Sequence, residues 1–474
     1  MKRFLIVAAA LAAFSFAGSA SGADMPTKAP AYKAPMAAAT SWTGFYVNGG
    51  VGYGMWAADT DVLVGAGPGC TTCVNQVQGG KGFLGTIGVG YDYQFGARIV
   101  GGIFGDGSLS SLKGTVQDGQ PFLAGEIKQT SSWAVGARVG WLSTPSTLGY
   151  VNAGYTGARF SSSDLVSSGN GASVGLSTPA TTFNGWFLGG GVETALWPNW
   201  FWRTEYRYAY YSNKTLPELS AAGIANDTFN FKPIVQTLTT QLVYKFNGGL
   251  PAPVYPAMPT VPTNWTGFYA GAGAGYGIWT ADQTSVRPTT GVCLICVSQR
   301  QGGKGYLGVI AAGYDWQFAP AWVVGVFGDV DISSLKGTIQ DHGIGLPQAI
   351  SGDMKQTWAW AVGPRLGWLP SSQTMTYVNG GYTSARFSGA TMFNVVSVTP
   401  TGSATQSFTT DGWFVGGGVE TTFDLLGKGW FWRNEYRYAQ YAQKTVADTP
   451  GGFASITFKP TIQTVTSEIV FKFN

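Results

Sequence analysis

The sequence predicts an all-β fold, a transmembrane antiparallel β-barrel, laid out as two tandem eight-stranded barrels or, alternatively, as one barrel of sixteen strands. Three observations carry this. The stretch FWRTEYRYA (201–209) returns as FWRNEYRYA (431–439). At the two-residue period of a strand it sends Arg203, Glu205 and Arg207 to one face and Trp202, Tyr206 and Tyr208 to the other. Composition is the second: aromatic residues make up 14% of the chain, 70 of 474 residues are Gly, and only 11% are charged. That aromatic content excludes disorder, and the lack of a three-residue Gly period excludes collagen. Third, no apolar run of membrane-helix length follows the N-terminus, so membrane insertion has to use a closed barrel, aromatics toward lipid and charges inside.

The ends and spacers come first. Residues 1–23 read as a secretory signal peptide: Lys2 and Arg3, an apolar stretch from Phe4 to Ala17, then small residues, with cleavage expected after Ala23. Residues 24–41, rich in Pro, Ala and Lys, read as an extended, hydrated periplasmic spacer. Without Lys2 and Arg3 the mature chain has 26 basic against 24 acidic residues, too small an excess to argue for nucleic acid.

Eight strands follow over 42–247. The first is 43–57. A loop of about twenty residues carrying Cys70 and Cys73 leads to the second, 80–95, whose Phe83, Ile87, Val89, Tyr91, Tyr93 and Phe95 share one face while Asp92 takes the other. The third is 99–115, with Asp118, Gly119 and Pro121 in its loop. In the fourth, Trp133, Val135, Val139 and Trp141 oppose Arg138. The fifth is 150–160, the sixth 184–196 with Glu193, the seventh is the FWRTEYRYA stretch, and the eighth, 234–246, puts Leu242, Tyr244 and Phe246 on one face. Short turns alternate with long loops, the asymmetry of outer-membrane barrels.

A Pro-rich linker, 248–263, precedes a second copy over 264–474. Trp42 matches Trp265, Cys70 matches Cys293, Lys113 matches Lys336, Arg203 matches Arg433 and Phe246 matches Phe473. Turns elsewhere take a few residues, whereas this joint holds five prolines in sixteen residues. Extended, it reaches roughly 50 Å, ample for two barrels of about 16 Å backbone diameter. That favours tandem barrels. Each copy aims a charge-balanced set inward: Asp92, Arg138, Glu193, Arg203, Glu205 and Arg207, then Asp315, Arg365, Glu420, Arg433, Glu435 and Arg437. An eight-stranded barrel has room only for side chains, so these groups are expected to form a plug of ion pairs; the alternative is a polar channel lining. Pro364, inside the fourth strand of the second copy, calls for a bulge or a nearby strand end. Pro233 and Pro460 are expected at the start of the last strands.

The leader followed by ADMPTKAP, the entry WTGFYVNGGVGYG, the motifs FWRTEYRY and FWRNEYRY, and the closing VYKF and VFKF resemble the small outer-membrane β-barrel family of alphaproteobacteria, whose members are often called outer-membrane immunogenic or porin-like proteins. The resemblance covers both copies. It implies residence in the outer membrane of a Gram-negative bacterium, an OmpA-like barrel per copy, and a structural or surface-exposed role. Tandem duplication departs from the single-barrel pattern. Expected partners are outer-membrane lipid and lipopolysaccharide, and periplasmic chaperones and the barrel-assembly machinery acting through the C-terminal strand.

Candidate reactive groups are few. Cys70 with Cys73, and Cys293 with Cys296, are C-x-x-C pairs in an oxidising compartment, expected as local disulfides. A redox site would sit beside a helix of a thioredoxin-like unit, which the sequence does not predict. The one His, His342, has no counterpart in the first copy, so neither a zinc site nor a catalytic Ser-His pair is expected. GGGVE (189–193, 416–420) precedes no helix and is expected to allow close strand approach rather than bind phosphate. No cofactor is expected. The functional expectation is an envelope-structural, surface-exposed protein with plugged barrels; the alternatives are passive diffusion of small solutes through a sixteen-stranded lumen and, more distantly, a membrane-embedded lipid hydrolase.

Overall fold

The computed structural model describes residues 41–64, 69–119, 122–246, 263–342, 349–449 and 454–473. The expected signal peptide, nearly all of both Pro-rich spacers, and Pro121 lie outside them. The first copy forms β1 (Gly44–Val64), β2 (Cys70–Gln94), β3 (Ile99–Gly119), β4 (Phe122–Thr144), β5 (Thr147–Phe160), β6 (Ser163–Ser167), β7 (Ser173–Thr178), β8 (Thr181–Trp197), β9 (Trp200–Tyr211), β10 (Lys214–Ser220) and β11 (Ala225–Phe246). The second forms β12 (Gly267–Val286), β13 (Cys293–Ala319), β14 (Trp322–His342), β15 (Ala349–Ser371), β16 (Thr374–Phe387), β17 (Ala390–Asn394), β18 (Pro400–Thr405), β19 (Phe408–Thr422), β20 (Trp430–Tyr441), β21 (Lys444–Thr449) and β22 (Ser455–Phe473).

Each copy closes on itself. In the first, β1, β2, β3, β4, β5, β8, β9 and β11 pair in that order, and β11 returns to β1 from Phe45↔Phe246 to Val64↔Asp227. In the second, β22 closes on β12 from Phe268↔Phe473 to Val286↔Ser455. A sixteen-stranded ring would instead need β11 beside β12 and β22 beside β1. The only ladder contact between the rings, among the described residues, is Gln78↔Gln301.

Phe45, Val51, Phe83, Ile87, Ile103, Val135, Trp202 and Leu242, with Phe268, Tyr306, Ile310, Ile332, Val362 and Phe473 in the second ring, stand exposed on the outer walls. This is the apolar band that lipid covers. A crossing strand needs only about 9–11 residues, but β1 has 21 and β13 has 27. The excess extends the wall at the loop end, where β6, β7 and β10 and their counterparts β17, β18 and β21 add short hairpin strands.

Several sequence expectations need correction here. Cys70 and Cys73 open β2 rather than lie in a long loop, because β1 runs on to Val64; Asp118 and Gly119 end β3 rather than follow it. Pro364 causes neither bulge nor strand end. Its pairing to Val326 is regular, and on the other side Val362↔Tyr382 and Arg365↔Asn379 keep one register across the two residues left out of the ladder. Pro233 and Pro460 are interior to β11 and β22, yet on one side they fall where the ladder changes partner. Ile234 is the last residue of β11 paired with β9 and Phe231 the first paired with β10, so on that side Pro233 has no ladder partner to lose.

The rings dock side by side with a reciprocity that matches the duplication. Lys304 binds Asp59 at 2.7 Å and its equivalent Lys81 binds Asp282, the equivalent of Asp59, at 3.6 Å. Tyr53 meets Tyr438 and Tyr276 meets Tyr208, with ring centroids 5.4 and 5.5 Å apart. The Thr338 hydroxyl bonds the Val77 backbone, and the Thr115 hydroxyl bonds that of Arg300. Cys73 N donates to Val395 O at 2.7 Å, and Cys296 N to Ser168 O at 2.9 Å. Residue i meeting j while j meets i is the signature of a two-fold interface, here between two halves of one chain. Tyr208, which its period turns outward, therefore faces the other barrel rather than lipid.

Candidate functional site

The interior of each ring is filled in three tiers. At the turn end, Trp42 lies across the mouth of the first ring, fully buried, with Nε1 donating to Pro145 O at 3.0 Å; Trp265 does the same to Ser372 O at 3.1 Å. At the loop end, Trp56 packs against Phe160 and Phe231, and Trp279 against Phe387 and Phe458. Between these aromatic tiers lie the charges.

The alternation that brings aromatics to the outer wall carries Asp92 (β2), Arg138 (β4), Glu193 (β8) and Arg203 (β9) to the axis. Arg138 spans two carboxylates: Nε donates to Asp92 Oδ1 at 2.9 Å, Nη2 to Asp92 Oδ2, and Nη1 to Glu193 Oε2 at 2.9 Å. Arg203 Nε donates to the same Glu193 oxygen at 2.9 Å. Lys245, on β11, closes the group against Asp92 at 2.7 Å and Glu193 at 3.0 Å. A second group sits nearer the loop end. Arg207 grips Asp106 with two bonds of 2.9 and 2.7 Å and holds Glu205 at 2.7 Å. Tyr150 OH and Asn152 Nδ2 donate to the other Glu205 oxygen at 2.8 and 2.9 Å. The guanidinium groups of Arg138 and Arg203 also lie 4.8 Å from the Tyr46 ring, on which their apolar faces stack. A charge taken out of water this far is tolerated only when paired and hydrogen-bonded, and these are both.

The second ring repeats the arrangement. Arg365 joins Asp315 to Glu420, Arg433 holds Glu420 at 2.8 Å, and Lys472 binds Asp315 at 2.6 Å. Arg437 links Asp329 to Glu435, which accepts from Tyr377 and Asn379 at 2.8 and 2.9 Å. Asp331 and Glu468 replace Ser108 and Gln241 of the first ring, so the second core carries two further carboxylates.

All twelve charged positions singled out in the sequence face the two interiors, six in each. The neutral balance assigned to them was incomplete. Asp106, Lys245, Asp329, Asp331, Glu468 and Lys472 are inward as well. Lys245 was readable: with Leu242, Tyr244 and Phe246 turned out, it must point in. Of the glycines in GGGVE, Gly189 faces the axis, where a Cβ would strike Asn152 Oδ1 and Tyr206 O, and Gly191 sits as tightly against Tyr150 OH. Small residues here leave room for the charged side chains. Cavities of 40 Å³, lined by Thr86, Thr156, Glu205, Arg207 and Tyr211 among others, and 10 Å³, beside Asn48 and Asp106, hold about one or two waters.

The remaining singled-out groups lie apart. Cys70 is bonded to Cys73 and Cys293 to Cys296, with Cα atoms 5.3 and 5.5 Å apart. His342 ends β14 with its ring 5.6 Å from Phe122. Lys113 pairs with Glu126 at 2.9 Å and Lys336 with Asp353 at 2.7 Å, all half-exposed on the loop-end wall.

Similarity to known proteins runs over both copies. A family model described as outer membrane protein beta-barrel domain matches residues 7–246 and again 250–458. The 25 kDa outer-membrane immunogenic protein of Brucella canis is 30% identical over 249 residues, 52% of this chain and 99% of its own length. The 31 kDa outer-membrane immunogenic protein of Brucella melitensis biotype 1 is 29% identical over 224 residues, 46% of this chain and 87% of its own length. Among solved structures, Ail, the attachment invasion locus protein of Yersinia pestis, aligns over 43% of this chain and 99% of its own at 14% identity and a TM-score of 0.24.

Proposed function

The chain belongs to the outer membrane protein β-barrel family, matched once by each copy, and resides in the outer membrane; on that premise we propose a structural, surface-exposed role in which both barrels are closed to solutes by their own side chains. The observation that carries the reading is the three-tier filling. From Trp42 through the Arg138 and Arg207 groups to Trp56, buried side chains occupy the first ring, and the cavities among them, of 40 and 10 Å³, are far below a solute. The walls extend well past the apolar band at the loop end, presenting polar surface outside the membrane. Lipid and lipopolysaccharide are the partners this shape fits. No catalytic role is assigned: His342 lies against Phe122, outside both charge groups.

Planar-bilayer recording of the refolded full chain tests the closure. Silence, or small and rare openings, is expected. A steady large conductance would sink the plug and favour passive diffusion.

A further inference from the structure

The loop-end extension of the first barrel holds a group of acids that the interior networks do not use. Asp118 lies at the end of β3, Glu218 on β10, and Asp227 is the first residue of β11 paired with β1; a carboxylate oxygen from each falls within 4.8 Å of the others. Acidic clusters are common without a ligand, but Glu218 makes this one different. Its side chain is only 1% exposed, and Oε1 has no hydrogen-bond partner. Three carboxylates this close repel one another, and two of them, Asp118 and Glu218, are shut away from water. Burial, reinforced by Asp118 and Asp227, pushes the Glu218 carboxyl up to about 8. Left alone, the group is a standing cost to the fold.

We propose that Asp118, Glu218 and Asp227 form a binding site for a hard divalent cation of the Ca2+ class, at the loop end of the first barrel. Oxygen-only ligands select Ca2+ or Mg2+ over softer metals, and three carboxylates on three separate strands, with water completing the shell, suit the irregular sphere of Ca2+. Asp227 is half-buried and gives the ion its way in. Asp118 Oδ1 also accepts from the Thr72 hydroxyl at 3.2 Å, which fixes one ligand in place. The second copy supplies an internal comparison. There Asp341 and Asp448 stand for Asp118 and Glu218, but Ala454 stands for Asp227 and Asp341 accepts a hydrogen bond from Ser285. One site per chain follows, in the first barrel only.

Ca2+ titration of the refolded full chain by calorimetry at pH 8 tests it. The expected result is saturable binding of one ion, weakened at least tenfold by Glu218→Gln and by Asp227→Asn and unchanged by Asp448→Asn. Because Glu218→Gln removes a buried charge rather than a support, the variant should fold. Its protease resistance without Ca2+ should equal or exceed that of the parent, and added Ca2+ should no longer raise it. No saturable binding, or binding indifferent to Glu218→Gln, or binding lost equally in Asp448→Asn, would overturn the site.

Discussion

Arg138→Ala is expected to destabilise the first barrel by about 3–5 kcal/mol, the cost of leaving buried carboxylates without their partner. Arg138 joins Asp92 to Glu193 and all three side chains are almost fully buried, so neither acid can turn to water when the guanidinium is gone. Lys245 and Arg203 remain, but their bonds to the same two carboxylates are already made. Lys113→Ala is the matched control. Lys113 also loses an acidic partner, Glu126, but with both side chains more than half exposed the expected cost is within about 1 kcal/mol. Denaturant titration of the full chain in lipid, read by loss of the folded gel mobility, compares them. Equal costs for the two variants would mean that the interior pairs do not hold the barrel.

Trp56→Ala is expected to cost about as much, roughly 3–5 kcal/mol, by a different route: an unfilled cavity. Trp56 is fully buried, lies within 6 Å of the Phe160 and Phe231 rings, and donates Nε1 to Leu112 O at 3.1 Å. Gly80 and Gly114 are shaped around it, since a Cβ at either would run into the indole. The damage should stay at the loop end. Amide exchange is expected to rise along 56–64, 70–80, 112–119, 122–130 and 225–233 while strands around Arg138 keep their protection, as local opening of one tier predicts. A uniform rise through the whole barrel would mean that the tiers are not separate.

The two variants also mark where the sequence was legible. In the lipid band, alternation with one aromatic face and one charged face identified Asp92, Arg138, Glu193, Arg203, Glu205 and Arg207 directly, because lipid outside forces every polar group inward. Asp106 escaped because its strand reads IVGGIFGDGS, where Phe104 faces inward beside it and Gly105 and Gly107, on either side of Asp106, leave the outer face without the aromatic alternation that marks the other strands. Past the lipid band the rule inverts. On β1 the large apolar residues Phe45, Val47, Val51 and Tyr53 face out, but Trp56 faces in. On β11 Leu242, Tyr244 and Phe246 face out, whereas Phe229 and Phe231 face in. Where water or the other barrel lies outside in place of lipid, the aromatic face moves to the interior, and a reading tuned to lipid ends the strand where the pattern changes face. That explains why β1, β2 and β11 run longer than expected. The contact between barrels was not legible at all: Lys81, Asp59, Lys304 and Asp282 look like solvated charges until the partner in the other copy is in view.

Central to everything above is that each copy forms its own ring. Oxidative cross-linking of paired cysteines tests this directly in the full chain: Val47→Cys with Tyr244→Cys, opposite one another on β1 and β11, against Val47→Cys with Phe471→Cys, which only a sixteen-stranded ring would bring together. Ready cross-linking of the first pair and none of the second is the expected result; the reverse would contradict two closed barrels.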